Sequence, residues 1–124
     1  MTFFHNSVDN PAVKLTKTSY WNKLIRGAFT KFLILYALRQ SPSYAYQISL
    51  FVEELTQGII SPTEGTLYPT LAGLEKGKYV TAKTEEIQGR KRRVYRLTRG
   101  GQRAYYAAFR TLKETLSFLT KLTD

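Results

Sequence analysis

A chain of 124 residues with 43% apolar content is long enough for one domain with a buried core and too short for two ordinary ones. Nineteen Lys and Arg against nine Asp and Glu leave a net charge of +10, which suits a polyanionic partner, nucleic acid first and an anionic membrane surface second; a merely soluble basic protein is the plain alternative. Cysteine is absent and His5 is the only histidine, so a disulfide scaffold, a thiolate or imidazole metal site, a Cys or His catalyst and a bound cofactor are not expected.

Residues 1–19 carry Asn6, Ser7, Asp9, Asn10 and Pro11 with little periodicity and predict a flexible arm, with at most a short helix near Val13 to Leu15. No basic region followed by an apolar run marks a signal peptide, and the most apolar stretch, Phe29 to Leu38, is interrupted by Lys31 and too short to span a bilayer. A cytoplasmic protein without a membrane partner is therefore expected. From Trp21 to Arg39, Trp21, Leu24, Ile25, Ala28, Phe32, Leu35 and Tyr36 fall at helical spacing, and Leu33, Ile34, Ala37 and Leu38 fill the remaining circumference. This helix should anchor the core and end at Ser41-Pro42.

Ser43 reads as the cap of a second helix over Tyr44 to Leu55, with Ala45, Ile48, Phe51 or Val52, and Leu55 facing the core and Gly58 supplying a left-handed stop. After the connector Ile59-Ile60-Ser61-Pro62, Thr63 can cap a third helix to about Lys76, in which Leu67, Leu71 and Leu74 form one apolar stripe. Pro69 lacks an amide and crowds the Gly65 carbonyl, so a local bend or a late start is expected there. Gly77 ends that helix. Tyr79 to Ile87 and Arg92 to Leu97 read as strands around a Gln88-Gly89-Arg90-Lys91 turn, and Thr98 caps a last helix to about Leu122. The result is a mainly helical α+β domain.

Three features carry function. Lys76, Lys78, Lys83, Arg90, Lys91, Arg92, Arg93, Arg96, Arg99 and Arg103 crowd one window in which only Glu85 and Glu86 oppose them. Arg90, Lys91, Arg92 and Arg93 near a hairpin tip can reach a phosphate backbone or enter a minor groove; a solvated turn is the alternative. Opposite its leucine stripe the third helix presents Glu64, Thr66, Tyr68 and Thr70, with Ser61 and Thr63 at its start, side chains suited to base edges and phosphates. Two helices, a short connector, this polar face and a basic hairpin make a helix-turn-helix with a two-stranded wing. Finally, Tyr105, Phe109, Leu112, Leu116 and Leu119 repeat with heptad spacing, which predicts a C-terminal helix that builds a homodimer or else packs back on its own domain. The chain then divides into the arm (1–19), the winged-helix domain (20–97) and the dimerisation helix (98–124).

The seventeen aromatic residues leave open a small aromatic effector held near Trp21, Tyr105, Tyr106 or Phe109, although core or interface use is the commoner reason for such spacing. No nucleophile, base and metal-ligand set converges, so an enzyme is not expected. Two readings remain: a sequence-specific regulator on a near-palindromic duplex site, or an architectural or protein-interaction module that binds nucleic acid without sequence preference.

Gly65-Thr66-Leu67-Tyr68-Pro69, then Leu71 and Leu74-Glu75, a basic wing and Tyr95-Arg96-Leu97-Thr98 together resemble the PadR family of transcriptional regulators, in its short C-terminal-helix form. The resemblance implies a winged-helix dimer, usually a repressor, with the third helix in the major groove and the C-terminal helix joined by the first, Trp21 included, in the dimer. Tyr46 matches a tyrosine that the family keeps at the start of its second helix. Some members sense phenolic acids or drugs at the dimer interface. The chain departs from the pattern at Tyr44-Ala45, where the family usually has His-Gly, and at Arg99-Gly100, where it usually has Pro-Ala.

Overall fold

A computed structural model describes residues 14–123. His5 and most of the expected arm lie outside the described residues. The first helix begins earlier than the apolar spacing indicates. It comprises α1 (Thr18–Trp21), a π-helical turn (Asn22–Arg26) and α2 (Gly27–Gln40), and Trp21 Nε1 donates to the Leu15 carbonyl at 2.7 Å. Its two halves differ. Leu33, Ile34, Leu35, Ala37 and Leu38 are buried in α2, whereas Trp21, Leu24 and Ile25 remain exposed.

Ser43 is not a helix cap. With Tyr44 it forms a short strand, β1 (Ser43–Tyr44), paired antiparallel to Tyr95 and Val94. The next helix, α3 (Ala45–Leu55), takes Tyr44 as its N-cap residue, whose amide donates to Gln47 Oε1 at 3.2 Å. Ala45, Ile48 and Val52 are buried as expected and Phe51 packs against Tyr36, but Leu55 in the last turn is about half exposed. There the chain turns away from the core: Gln57 and Gly58 both have positive φ, and the Gly58 amide closes back on the Glu53 carbonyl at 2.8 Å.

The third helix, α4 (Glu64–Lys76), buries Leu67, Leu71 and Leu74 and runs through Pro69 without a late start. Gly65 and Pro69 are both exposed, so water can satisfy the carbonyl that Pro69 leaves unpaired. Its end also differs from the simplest reading of Gly77. The left-handed residue is Lys78 (φ 65°), and the Tyr79 amide bonds to the Leu74 carbonyl at 2.9 Å. Gly77 serves a close approach instead, since a Cβ there would lie 2.7 Å from the Tyr79 ring.

Strands β2 (Val80–Ile87) and β3 (Arg90–Leu97) form the two-stranded wing, and the sheet order is β1-β3-β2, so the short β1 adds a third strand that the sequence pattern does not predict. The turn is only Gln88-Gly89, both left-handed, the two-residue connection whose twist matches the flanking strands. Arg90 to Arg93 therefore lie within β3 and not in the turn. Thr98 caps the last helix, α5 (Arg99–Leu116), by accepting from the Gly101 amide at 3.1 Å, and its hydroxyl reaches the Lys78 carbonyl at 2.8 Å. The helix stops at Leu116, short of Leu122, and a 3-10 turn (Leu119–Lys121) follows. The first half of α5 packs on α2, where Tyr105 stacks with Phe32 at 5.4 Å and meets Tyr36 at 5.9 Å.

Candidate nucleic-acid interface

The leucine stripe fixes how α4 sits. With Leu67, Leu71 and Leu74 turned inward, Glu64, Thr66 and Tyr68 face solvent and Thr70 is half-buried, its hydroxyl donating to the Thr66 carbonyl at 2.7 Å. Ser61 and Thr63 precede the helix and are exposed. Thr63 is the N-cap residue, but its hydroxyl lies toward Thr66 Oγ1 at 3.5 Å and makes no cap to the backbone. Tyr46, in the first turn of α3, is 61% exposed, and Tyr68 is 50% exposed. A crevice of about 70 Å³ lies between α3 and α4, with Tyr46, Ser49, Glu64 and Tyr68 among its walls.

Strand alternation divides the basic run. Arg90 and Arg92 project from one face of β3, Lys91 and Arg93 from the other. The Arg92 guanidinium lies over the Tyr44 ring at 4.7 Å, so β1, missed in the sequence, supplies an aromatic platform for a wing cation. Arg93 pairs with Glu75 at 2.7 Å, and Arg96 pairs with Glu85 across the hairpin. The Arg96 hydrogen bond lowers the Glu85 pKa, and the same bond raises that of Arg96. Among the described residues, Arg90, Lys91 and Arg92 make no salt bridge. Tyr44, Tyr46, Tyr68, Lys91, Arg92 and Arg93 line one groove of about 300 Å³, which joins the wing to the exposed faces of α3 and α4.

The heptad residues do not form one exposed seam. Tyr105 is buried and stacks on Phe109 at 5.9 Å, Leu112 and Leu116 are half-buried, and Phe109 and Leu119 are exposed. Exposed Trp21, Leu24 and Ile25 add apolar surface at the other end of the chain. An apolar hollow of about 580 Å³ lies beside the contact of α2 with α5 and is closed by the end of α4, with Phe32, Leu35, Leu74, Ala104 and Leu112 among its walls. None of Trp21, Tyr105, Tyr106 and Phe109 lines it. No cluster of three metal-ligating His, Cys, Asp or Glu occurs among the described residues, and no helix there is long and apolar enough to cross a membrane.

The family model for the transcriptional regulator PadR-like family matches residues 34–107, more than half of the chain. The chain belongs to the PadR-like family of transcriptional regulators. Its winged-helix fold agrees. A transcriptional regulator from Clostridium thermocellum superposes with a TM-score of 0.71 at 28% identity, over 82% of this chain and 99% of that one. Bacillus subtilis PadR in complex with operator DNA gives 0.57 at 27% identity, over 64% of this chain and 45% of that one. The transcriptional regulator YqjI of Escherichia coli is 33% identical over 72 residues, 58% of this chain, and this PadR-like chain spans only about a third of YqjI.

Within this family the YRLT block acquires a structural meaning. Tyr95 is buried in the core, Leu97 packs against it, and Thr98 ties the end of β3 to both α5 and the Lys78 carbonyl. Glu75 is the site residue that charge counting passes over, since a carboxylate among cations gives no sign of which one it holds. Its place in the Leu74-Glu75 pair was the available signal.

Proposed function

We propose that this PadR-like protein is a repressor that binds a near-palindromic duplex operator as a homodimer, with α4 in the major groove. The observation that carries this is the single groove in which Tyr46 and Tyr68 meet Lys91, Arg92 and Arg93. Helix α4 presents Glu64, Thr66, Tyr68 and Thr70 to base edges, with Ser61 and Thr63 at the flanking phosphates. Arg90, Lys91, Arg92 and Arg93 hold the backbone or the adjacent minor groove from the wing. The solved complex of Bacillus subtilis PadR with operator DNA supports this placement by likeness of fold and sequence.

Dimerisation through α5 and the first helix is supported by exposed apolar side chains on both, Trp21, Phe109 and Leu119, with Leu112 and Leu116 half-buried and Tyr105 stacked beneath Phe109. Two-fold symmetry then sets two copies of α4 about one turn of DNA apart. The hollow between α2, α4 and α5 is the space that a small aromatic effector would occupy. The function is tested by selecting bound duplexes from a random pool and sequencing them. A recurrent two-half-site motif is expected. Equal binding to selected and random duplex would replace this reading with an architectural protein that binds without sequence preference.

A further inference from the structure

The net charge exceeds what the wing uses. No acidic residue lies between Asp9 and Glu53, while Lys14, Lys17, Lys23, Arg26, Lys31 and Arg39 do. Lys23 and Arg26 fall on the π-helical turn, and both line a groove of about 440 Å³ against the connector and the start of α4, with Ser61, Thr63 and Thr66 opposite them. Arg26 Nη1 reaches the Ile59 carbonyl at 3.4 Å, which holds the guanidinium beside that connector. Among the described residues, no carboxylate lines this groove. Glu64, the acidic residue in the first turn of α4, lines the crevice with Tyr46 and Tyr68 instead.

The two grooves flank the same helix. Thr66 lines one and Tyr68 lines the one beside the wing, and residues two apart on an α-helix point about 200° apart. A helix lying in a major groove is bordered by a phosphate backbone on each side. The wing cations serve one border.

We propose that Lys23 and Arg26 form a second phosphate clamp, which holds the DNA backbone on the flank of α4 away from the wing. The proposal rests on the duplex-binding reading above. Lys23 and Arg26 line this groove, whereas the exposed apolar residues Trp21, Leu24 and Ile25 of the same stretch do not. Arginine at 26 offers a planar fork and lysine at 23 a point charge, and both suit phosphate oxygens without reading sequence.

The test measures affinity for a random-sequence duplex over a salt series, with the full chain and three variants: Lys23→Gln, the double variant Lys23→Gln/Arg26→Gln, and the charge-keeping double variant Lys23→Arg/Arg26→Lys. Loss of two phosphate contacts should make the log–log salt slope shallower by about two and weaken selected and random duplexes alike. The charge-keeping variant should restore the slope. Lys23→Gln alone, at an exposed position, should lose about one unit and gives the answer if the double variant fails to fold. A neutralised variant with the wild-type slope overturns the clamp while leaving the wing and α4 reading intact. A wild-type chain that binds no duplex overturns both.

Discussion

Arg93 Nη2 lies 2.7 Å from Glu75 Oε2, a contact that joins strand β3 of the wing to the last turn of α4. The two side chains are 52% and 36% exposed, enough contact with water that the pair stabilises the fold by about 0–1 kcal/mol. Its larger consequence is for binding, because Glu75 occupies a cation of the proposed DNA groove. Glu75→Gln should leave the thermal midpoint nearly unchanged, strengthen duplex binding severalfold and steepen the salt slope by up to about one unit. Weaker binding by Glu75→Gln would show instead that the pair positions Arg93 for its phosphate. Melting curves and binding isotherms at two salt concentrations separate these outcomes.

The cross-strand pair of Glu85 with Arg96 makes the wing sensitive to acid. The Arg96 hydrogen bond holds Glu85 below its ordinary value, so its stabilisation is present above the unfolded-state value and is lost as pH falls through the folded one. The same bond raises Arg96, so on the alkaline side the contact is lost only in strong alkali. Loss of the hairpin contact is therefore expected below about pH 4.3. Glu85→Gln should remove this part of the acid-side decline by giving up the same contribution at neutral pH, so that amide exchange in β2 and β3 is faster than wild type at neutral pH and converges with it in acid.

Much of this architecture was legible because burial writes itself at fixed spacing. Leu67, Leu71 and Leu74 identified the inner face of α4 and so its outer one, and Gly89 within the four-residue stretch Gln88-Gly89-Arg90-Lys91 marked the hairpin. What escaped were features with no periodic signal. A two-residue strand such as Ser43–Tyr44 cannot show alternation, and its existence depends on Val94 and Tyr95 some fifty residues later. The split of Arg90, Lys91, Arg92 and Arg93 onto two faces followed from the shorter turn, which drew all four into the strand. Tyr105 fits a heptad seam in sequence, yet its partners Phe32 and Tyr36 lie on its own α2. Spacing shows which residues share a face, and only packing decides what covers it.

The two glycines after Arg99 should respond oppositely to alanine. A Cβ at Gly101 would lie 2.2 Å from the Tyr79 carbonyl oxygen and 2.5 Å from Leu97, so backbone must move where β3 passes into α5. Overpacking of this kind costs about 1–3 kcal/mol. At Gly100 the nearest atom is Thr98 Oγ1 at 3.5 Å, an ordinary contact, and alanine there should be neutral or stabilise by up to about 1 kcal/mol through helix propensity. Urea unfolding of the two variants checks the contrast, and equal stabilities would mean that the passage from β3 to α5 yields to a Cβ at Gly101 without cost.

Ile25 tests the dimer with the least risk to the fold. It is 53% exposed on the π-helical turn, near exposed Trp21 and Leu24, so a charge there meets water in an isolated chain but an apolar surface in a paired one. Ile25→Glu should convert a two-chain species into a one-chain species by light scattering, with the helical circular dichroism signal retained. It should also weaken binding to a two-half-site duplex more than to a single half-site, because the two halves no longer arrive linked. An unchanged mass would move the interface to the C-terminal helix alone.

The proposed division between wing and α4 predicts two kinds of defect. Arg92 sits on Tyr44 and faces the groove without a carboxylate partner among the described residues, so Arg92→Ala removes one backbone contact. Binding should weaken for every sequence and the salt slope should fall by about one unit. Tyr44→Ala should reproduce part of that loss, since the guanidinium then loses the ring that holds it and gains its freedom in solution. Tyr68, half exposed on α4, carries no charge, and Tyr68→Ala should leave the slope intact while reducing the ratio of selected to random binding by roughly 5- to 150-fold, the worth of about 1–3 kcal/mol of base discrimination. Thr66→Ala should act in the same sense. The measurement is a salt series on both duplexes for each variant, and if Arg92→Ala and Tyr68→Ala lose slope and selectivity in the same proportion, wing and helix do not divide the work.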